Sequence, residues 1–364
     1  MAKEHVLKFH VPTIKKLSES GWIVDVACGG NEVIPYCNKQ IRLPIDRSPF
    51  NGNIIKGIQI LKREIAEQHY DIVYCHTEVG GIVGRLASRR FRDSGLKVVK
   101  LDHGFYFYKG ASWLTWMIHY PVDKLLSFFT DTFILINKED YYFACKHFSK
   151  SRHYLIDGIG VDPDKIIIND RERIRREYRK QFNIPSDAIV LIYLAELIKN
   201  KNQVFLLKVL KRILESHKNV FLVLAGIDHT NGEYEKFAHK LNVFDNVRFL
   251  GWRNDVDNLY AMSDICTASS IREGFGLNLV EAMYCGIPVI ASNNRGHATI
   301  IRDGENGFLV ELGDEKSFAK RIIDLIDNPQ LIGQFVETAH AEETKYASDT
   351  IVNKLIGILK EVLK

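Results

Sequence analysis

The sequence predicts an α/β protein made of two doubly wound halves, each a parallel sheet covered by helices. Three observations predict it. Short β-rich runs alternate with helical patterns through both halves of a 364-residue chain, which is room for two domains of ordinary size. A highly charged stretch containing two glycines and a proline, Gly158 to Phe182, lies between the halves. The charge divides with them: residues 1–180 hold 29 Lys+Arg against 21 Asp+Glu, and the remainder 20 against 24, as expected of domains that face different partners.

The elements follow in order. The chain opens on a helical pattern, VPTIKKLSESG (11–21), where a doubly wound domain normally opens on a strand; that first strand is expected to be missing. WIVDVAC (22–28), DIVYCH (71–76), KVVKLDH (97–103) and TFILIN (132–137) read as strands of the first half, with helices over 54–68 and 80–91. The second half repeats the theme with AIVLIYLAE (188–196), VFLVLAG (220–226), VRFLG (247–251), ICTAS (265–269) and PVIAS (288–292), each followed by a loop and a helical segment. The predicted domains are therefore 1–165 and 166–345. The amphipathic segment IVNKLIGILKEVLK (351–364) finds no place in the second, so 346–364 is expected to cross back onto the first.

Composition narrows the classes. Hydrophobic residues make up 46% and charged residues 26%, a globular balance, and a net charge of +4 gives no reason to expect nucleic acid. The six cysteines lie far apart, with no C-x-x-C pair and no clustered histidines, which excludes a zinc ribbon and argues against a disulfide framework. MAKEHVLKFH lacks the apolar core of a signal peptide, and no apolar run reaches the ~18 residues of a membrane span. The expected location is the cytoplasm.

From Glu273 to Ala291 the chain reads EGFGLNLVEAMYCGIPVIA. This segment resembles the nucleotide-sugar-dependent glycosyltransferases of family 4, whose hallmark is two glutamates separated by seven residues, here Glu273 and Glu281. The resemblance continues through RGHATIIRDGENGFLV (295–310) and FLGWRNDVDNLYAMSDI (249–265). In the first half CHTEVGG (75–81), DHGFYFYKGA (102–111) and INKEDY (136–141) are similar to a subgroup that builds bacterial capsular polysaccharides and exopolysaccharides. The resemblance implies the GT-B fold: two Rossmann-like domains facing a central cleft, the first holding the acceptor and the second the nucleotide sugar.

The residues carry a physical reading of their own. Gly274 and Gly276 leave backbone N–H groups unobstructed ahead of a helix beginning near Leu277, and such a helix start favours an anion such as a diphosphate. By resemblance, Glu273 accepts hydrogen bonds from the donor sugar and Glu281 holds the ribose, with Gly274, Phe275, Gly276, Leu277 and Arg253 completing the nucleotide-sugar set. Taken alone, the spacing of the two glutamates reads as two solvated surface carboxylates, the usual fate of a glutamate; the full string carries the other reading. In AELIKNKNQ (195–203), Lys201 matches a lysine that faces the diphosphate in this family, while Ala195 and Glu196 stand where the family has Gly-Arg. That exchange removes one cation from the leaving-group site.

His103 matches a histidine that faces the donor sugar, although Asp102 replaces the small residue usual before it. His76, Thr77, Gly80 and Gly81 lie at a strand-to-helix junction and read either as acceptor contacts or as a helix cap. Asp-x-Asp occurs at Asp162–Asp164 and at Asp255–Asp257. Proline interrupts the first and the second sits at a helix start, where Asp is favoured, so no metal is expected. The aromatic run WLTWMIHYPVDKLLSFF (113–129) reads either as a face resting on a membrane, helped by the basic first half, or as core.

The implied reaction transfers a sugar, with retention, from a UDP-sugar to a hydroxyl of a lipid-linked glycan; the nucleotide sugar is a co-substrate and no cofactor is expected. No residue presents itself as a carboxylate nucleophile of the glycosidase kind, so a front-face route is expected, in which the leaving phosphate takes the acceptor's proton. Lys201 and the helix N-terminus would stabilise the charge, and Glu273, His103 and Lys201 form the catalytic set. The alternatives are a UDP-sugar epimerase of the same architecture, which would need no acceptor, and a non-catalytic subunit that binds nucleotide or glycan.

Overall fold

The computed structural model describes residues 2–45 and 53–364. The chain divides into two compact units, Met1–Gly160 with Ser348–Lys364, and Val161–Ala347. The chain passes from one unit to the other after Gly160, five residues ahead of the 165/166 boundary read from the linker. Gly160 has φ +87°, and a Cβ there would lie 2.7 Å from Ser348 Cα, so only glycine admits the close approach of the two crossing segments.

The first unit begins with α1 (Ala2–Phe9) and α2 (Val11–Glu19). It continues through β1 (Asp25–Cys28), β2 (Lys39–Arg42), α3 (Asn53–Gln68), β3 (Ile72–Cys75), α4 (Glu78–Ser88), β4 (Lys97–Asp102), α5 (Trp113–Ser127), β5 (Thr132–Leu135), α6 (Lys138–His147) and β6 (Arg152–Leu155). All its strand pairs are parallel, but they form two pieces among the described residues: β1-β2 and β3-β4-β5-β6. Consecutive residues of β1 and β3 line one cavity of about 240 Å³ that separates the pieces. The strand expected over 22–28 is thus shortened to its last four residues. Two strands were not foreseen, KQIR and RHYL, because each is short and largely polar.

The terminal helix, Ser348–Val362, belongs to this unit and buries Ile351, Val352, Leu355, Ile356, Ile358, Leu359 and Val362. Its polar side is tied down by Tyr154, which donates to Glu361 at 2.6 Å, and by Lys354 on Asp157 at 3.2 Å.

The second unit contains α7 (Arg171–Gln181), β7 (Ile189–Leu194), α8 (Gln203–Ile213), β8 (Val220–Ala225), α9 (Glu233–Lys240), β9 (Val247–Phe249), α10 (Val256–Ala261) and β10 (Ile265–Ala268). It ends with α11 (Leu277–Tyr284), β11 (Val289–Ser292), α12 (His297–Ile300), β12 (Phe308–Val310), α13 (Glu315–Asp327) and α14 (Pro329–His340). One six-stranded parallel sheet runs β12-β11-β10-β7-β8-β9. Its middle strands β7, β8 and β10 are apolar along their length and almost wholly buried, as strands covered on both faces must be. The charged helix α7, read from sequence as linker, docks on this sheet. Arg175 and Arg179 both bind Asp264, at 2.6 and 2.8 Å, and Asp264 also accepts from Val190 N at 2.7 Å.

Candidate active site

In the second unit the loop after β10 and the loop after β7 are laced together by side chains that the strands deliver. Ser269 donates to the carbonyls of Lys201 and Asn202 at 2.8 and 3.0 Å. Asn200 donates to Arg272 O at 2.9 Å and accepts from Ile271 N, through its carbonyl, at 2.8 Å. This lacing sets Lys201 beside Glu273. The Lys201 ammonium and the Ser270 hydroxyl, at 2.6 Å, both donate to Glu273 Oε1, and Tyr193 pairs with Ser270 at 2.6 Å. The lysine and glutamate side chains are 25% and 18% exposed, so the ion pair is largely withdrawn from water.

Burial alone would push the Glu273 carboxyl up. The Lys201 charge and the hydrogen bonds from Lys201 and Ser270 outweigh it, and the net shift is downward. Glu273 is therefore a fixed carboxylate, well placed to accept hydrogen bonds and poorly suited to take a proton. His297 is buried, and burial leads in holding its imidazole below the ordinary value despite Glu273. It stays neutral at pH 7, with Nδ1 at 2.8 Å from Ser292 O.

The helix expected near Leu277 is α11, and its N-cap is Gly276 at φ +134°. A Cβ there would meet His297 Cδ2 at 3.2 Å. Gly296 is equally constrained: a Cβ would lie 2.8 Å from Phe275 N and from the Glu273 side chain. Asn294 holds this segment, accepting from Gly296 N and His297 N at 3.0 and 3.1 Å and donating to Ser270 O at 2.9 Å. The N-cap Gly276 has no side chain with which to cap α11, so the helix's first turn turns its backbone N–H groups toward the loop that holds Gly274. Phe275 is buried edge-on against Tyr346 at 5.8 Å; its ring belongs to the core. One turn into the helix, Glu281 accepts from Tyr260 at 3.2 Å.

Arg253 stands apart from this network. Its guanidinium is forked onto Asp255, with Nε at 2.8 Å from Oδ1, and Asp255 accepts from Tyr178 at 2.7 Å. Asp255 occupies the N-cap of α10 as expected, but its carboxylate serves Arg253 and Tyr178 instead of capping. Asp162 accepts from Asp164 N at 3.2 Å and pairs with Lys165 at 3.2 Å. Glu196 is exposed, 4.0 Å from His229, and takes no part in the Lys201–Glu273 pair.

In the first unit CHTEVGG builds a helix cap. Thr77 is the N-cap of α4 and accepts from Gly80 N at 3.3 Å. Its φ of +58° with ψ 172° is a conformation that only glycine adopts freely. The buried Lys100 secures it, donating to Thr77 O at 2.8 Å with Asp102 at 3.3 Å. Gly81 lies over that lysine, and a Cβ would approach Lys100 Cε to 2.9 Å. The other resembling motifs lock to each other. Asn137 caps α6 through Asp140 N at 2.8 Å, and Asp140 accepts from Phe105 N at 3.2 Å, next to His103 in DHGF.

Sequence reasoning found no clustered histidines. The fold brings three together: His10 at the start of α2, His76 after β3 and His103 after β4, with one nitrogen of each within 4.8 Å of the others. Residues 113–127 form a helix, α5, that is packed on one side and open on the next. Trp116 and Tyr120 pack on Phe107 and Phe143, while Trp113, Met117 and Leu125 are 74%, 55% and 60% exposed.

Residues 174–342 match the family model for glycosyl transferases group 1, and residues 2–137 match that for glycosyl transferase 4-like proteins. The EpsD protein of Bacillus subtilis (strain 168) is 38% identical over 359 residues, 97% of this chain and 93% of its own length. The chain belongs to the family 4 glycosyltransferases. The glycosyltransferase is also 26% identical to the UDP-Gal:alpha-D-GlcNAc-diphosphoundecaprenol alpha-1,3-galactosyltransferase of Escherichia coli, over 76% of this chain and 72% of that one. Its fold is GT-B: Anabaena HepE, solved with UDP and glucose, superposes with TM-score 0.78 at 20% identity over 96% and 94% of the two chains. WaaG, a glycosyltransferase involved in lipopolysaccharide biosynthesis, gives 0.72 at 18% identity over 95% and 94%.

Ser270, Tyr193, Asn294 and His297 were not singled out from the sequence. The last two fall inside the recognised RGHATII region or directly before it, and the Asn-x-x-His spacing at the mouth of a short helix was the available signal.

Proposed function

We propose that this glycosyltransferase moves a sugar, with retention and without a metal, from a UDP-sugar to a hydroxyl of a lipid-linked glycan in the assembly of a bacterial surface polysaccharide. The Lys201–Glu273–Ser270 network at the head of α11 carries the reading. It offers a cation and uncapped N–H groups for a diphosphate, beside a fixed carboxylate for sugar hydroxyls. Glu281, one turn into α11, is assigned to the ribose, Gly274, Gly276 and Leu277 to the diphosphate through the backbone, and His103 to the donor sugar. UDP in HepE and the diphosphoundecaprenol acceptor in the name of the Escherichia coli relative support the choice of donor and acceptor.

In the proposed step the bond between the anomeric carbon and the diphosphate oxygen breaks, and the acceptor oxygen bonds to the same face. The acceptor's proton goes to the departing phosphate. Glu273 does not compete for that proton because its carboxylate is already neutralised by Lys201 and Ser270. The exposed face of α5 is assigned to an anionic leaflet, where the acceptor's lipid lies. Trp113, Met117 and Leu125 supply apolar depth, and Lys150, 4.9 Å over the Phe128 ring, supplies charge at its edge.

The test is calorimetric binding of UDP, GDP and ADP in EDTA, followed by transfer from UDP-sugars to undecaprenyl-diphosphate-linked acceptors. Selective UDP binding and a retained anomeric centre in the product are expected. Binding of no nucleotide, or release of an epimerised UDP-sugar without acceptor, overturns the reading. Trp113→Ser with Leu125→Ser should abolish sedimentation with phosphatidylglycerol vesicles and leave UDP binding unchanged.

A further inference from the structure

The three imidazoles of the first unit form a set whose grouping the proposed transfer, which calls on His103 alone, does not explain. His10 stands at the N-cap of α2 and is buried, and its ring centroid lies 3.9 Å from that of His76 and 5.5 Å from that of His103. His76 and His103 follow adjacent parallel strands, paired in register Cys75↔Lys100, so two of the three are fixed to the same rigid sheet. We propose that His10, His76 and His103 form a binding site for a divalent cation of the zinc class.

The ligand chemistry chooses the ion. Three imidazole nitrogens with no carboxylate among them suit zinc, nickel or copper and disfavour the hard cations magnesium and calcium. At zinc–nitrogen bonds of about 2.0 Å, tetrahedral ligands lie about 3.3 Å apart. The nitrogens here lie within 4.8 Å of one another, so ring rotations that bring each inward by roughly 1 Å close the site. Three protein ligands leave the fourth position open, the pattern of zinc sites that keep an exchangeable ligand. The nearby Lys100 ammonium is countered by Asp102 at 3.3 Å and does not leave an uncompensated charge against the ion. If His103 also faces the donor sugar, zinc and donor compete for it and zinc lowers transfer. That consequence rests on the proposed function, whereas the binding experiment does not.

The experiment is a calorimetric titration of the chelator-treated full chain with zinc chloride, with magnesium chloride as comparison and cobalt(II) as a visible probe of coordination. One equivalent of zinc is expected, with no heat from magnesium and the intense absorption of four-coordinate cobalt. His10→Ala and His76→Ala should each weaken zinc binding by about tenfold or more, while His217→Ala, in the other unit, leaves it unchanged. His103→Gln preserves side-chain bulk and serves if the buried variants melt early; it too should lose the cobalt spectrum. Absence of saturable zinc binding, or an unchanged zinc isotherm and cobalt spectrum in His103→Gln, overturns the proposal.

Discussion

Replacing Lys201 by methionine tests the centre of the candidate donor site through stability as well as chemistry. The lysine gives Glu273 one of its two hydrogen bonds on Oε1, and both side chains are withdrawn from water. Breaking a fully buried pair by removing one partner costs about 3–5 kcal/mol; with each side chain still partly solvated, about 2 kcal/mol is expected here. For a unit of this size that lowers the midpoint of thermal unfolding by about 4–8 °C. The sign of the pH dependence follows from the direction of the shift. Glu273 titrates below its ordinary value of 4.5 in the wild type, so its contribution is complete above that value and fades as pH falls through the folded pKa. In Lys201→Met burial is no longer offset, the carboxyl rises, and protonation relieves the mutant. The stability gap between the two proteins should narrow as pH falls from 7 toward 4. Glu273→Gln in the Lys201→Met background should recover roughly 1 kcal/mol, because no unpaired charge remains. Urea unfolding followed by circular dichroism at several pH values measures all of this. A penalty below about 0.5 kcal/mol, the same at every pH, would place Lys201 with ordinary surface lysines and refute the reasoning.

Other outcomes follow from the same geometry. Glu281→Ala should weaken UDP binding by about tenfold, whereas Glu273→Ala should chiefly lower kcat; calorimetry and steady-state rates separate them, and unchanged UDP affinity in the first variant removes the ribose assignment. Thr77→Gly should be neutral or stabilising because it relieves a backbone strain of about 1–3 kcal/mol while keeping most of the cap. Thr77→Val keeps the strain, loses the cap and should destabilise by about 1 kcal/mol; thermal melts decide. Glu342, held by Arg302 and by Lys345, titrates at about 2 instead of 4.5. Its stabilising contribution to the second unit is therefore complete above 4.5 and lost as pH falls toward 2. Arg302→Ala should make acid unfolding begin at higher pH.

The parts legible in the sequence are those whose signal is local. The buried strands Ile189–Leu194 and Val220–Ala225 announce themselves as unbroken apolar runs, and Gly276 marks the start of α11 because few residues other than glycine accept its φ. The spacing of Glu273 and Glu281 is equally local, one lying in the loop ahead of α11 and the other a turn into it. What escaped depends on which loops meet. Ser270 and Tyr193 are common residue types, and only the pairing of β7 with β10 makes them partners. His10 and His103 are far apart in sequence, so nothing local says that their rings lie 5.5 Å apart. The polar strand Lys39–Arg42 shows little of the apolar pattern by which strands are recognised.

The break in the first unit's sheet makes the two halves of the protein unequal in endurance. Strands β1 and β3 each pair on one side only among the described residues, and the void between them leaves apolar side chains such as Ile41, Leu61 and Ile65 with fewer neighbours than a filled core would give. In the second unit every internal strand is flanked on both sides. Amide hydrogens of Asp25–Cys28 and Ile72–Cys75 should accordingly exchange with deuterium long before those of Ile189–Leu194 and Val220–Ala225. Heat, denaturant or protease would then find the half expected to meet the acceptor first, while the half expected to hold the nucleotide still stands.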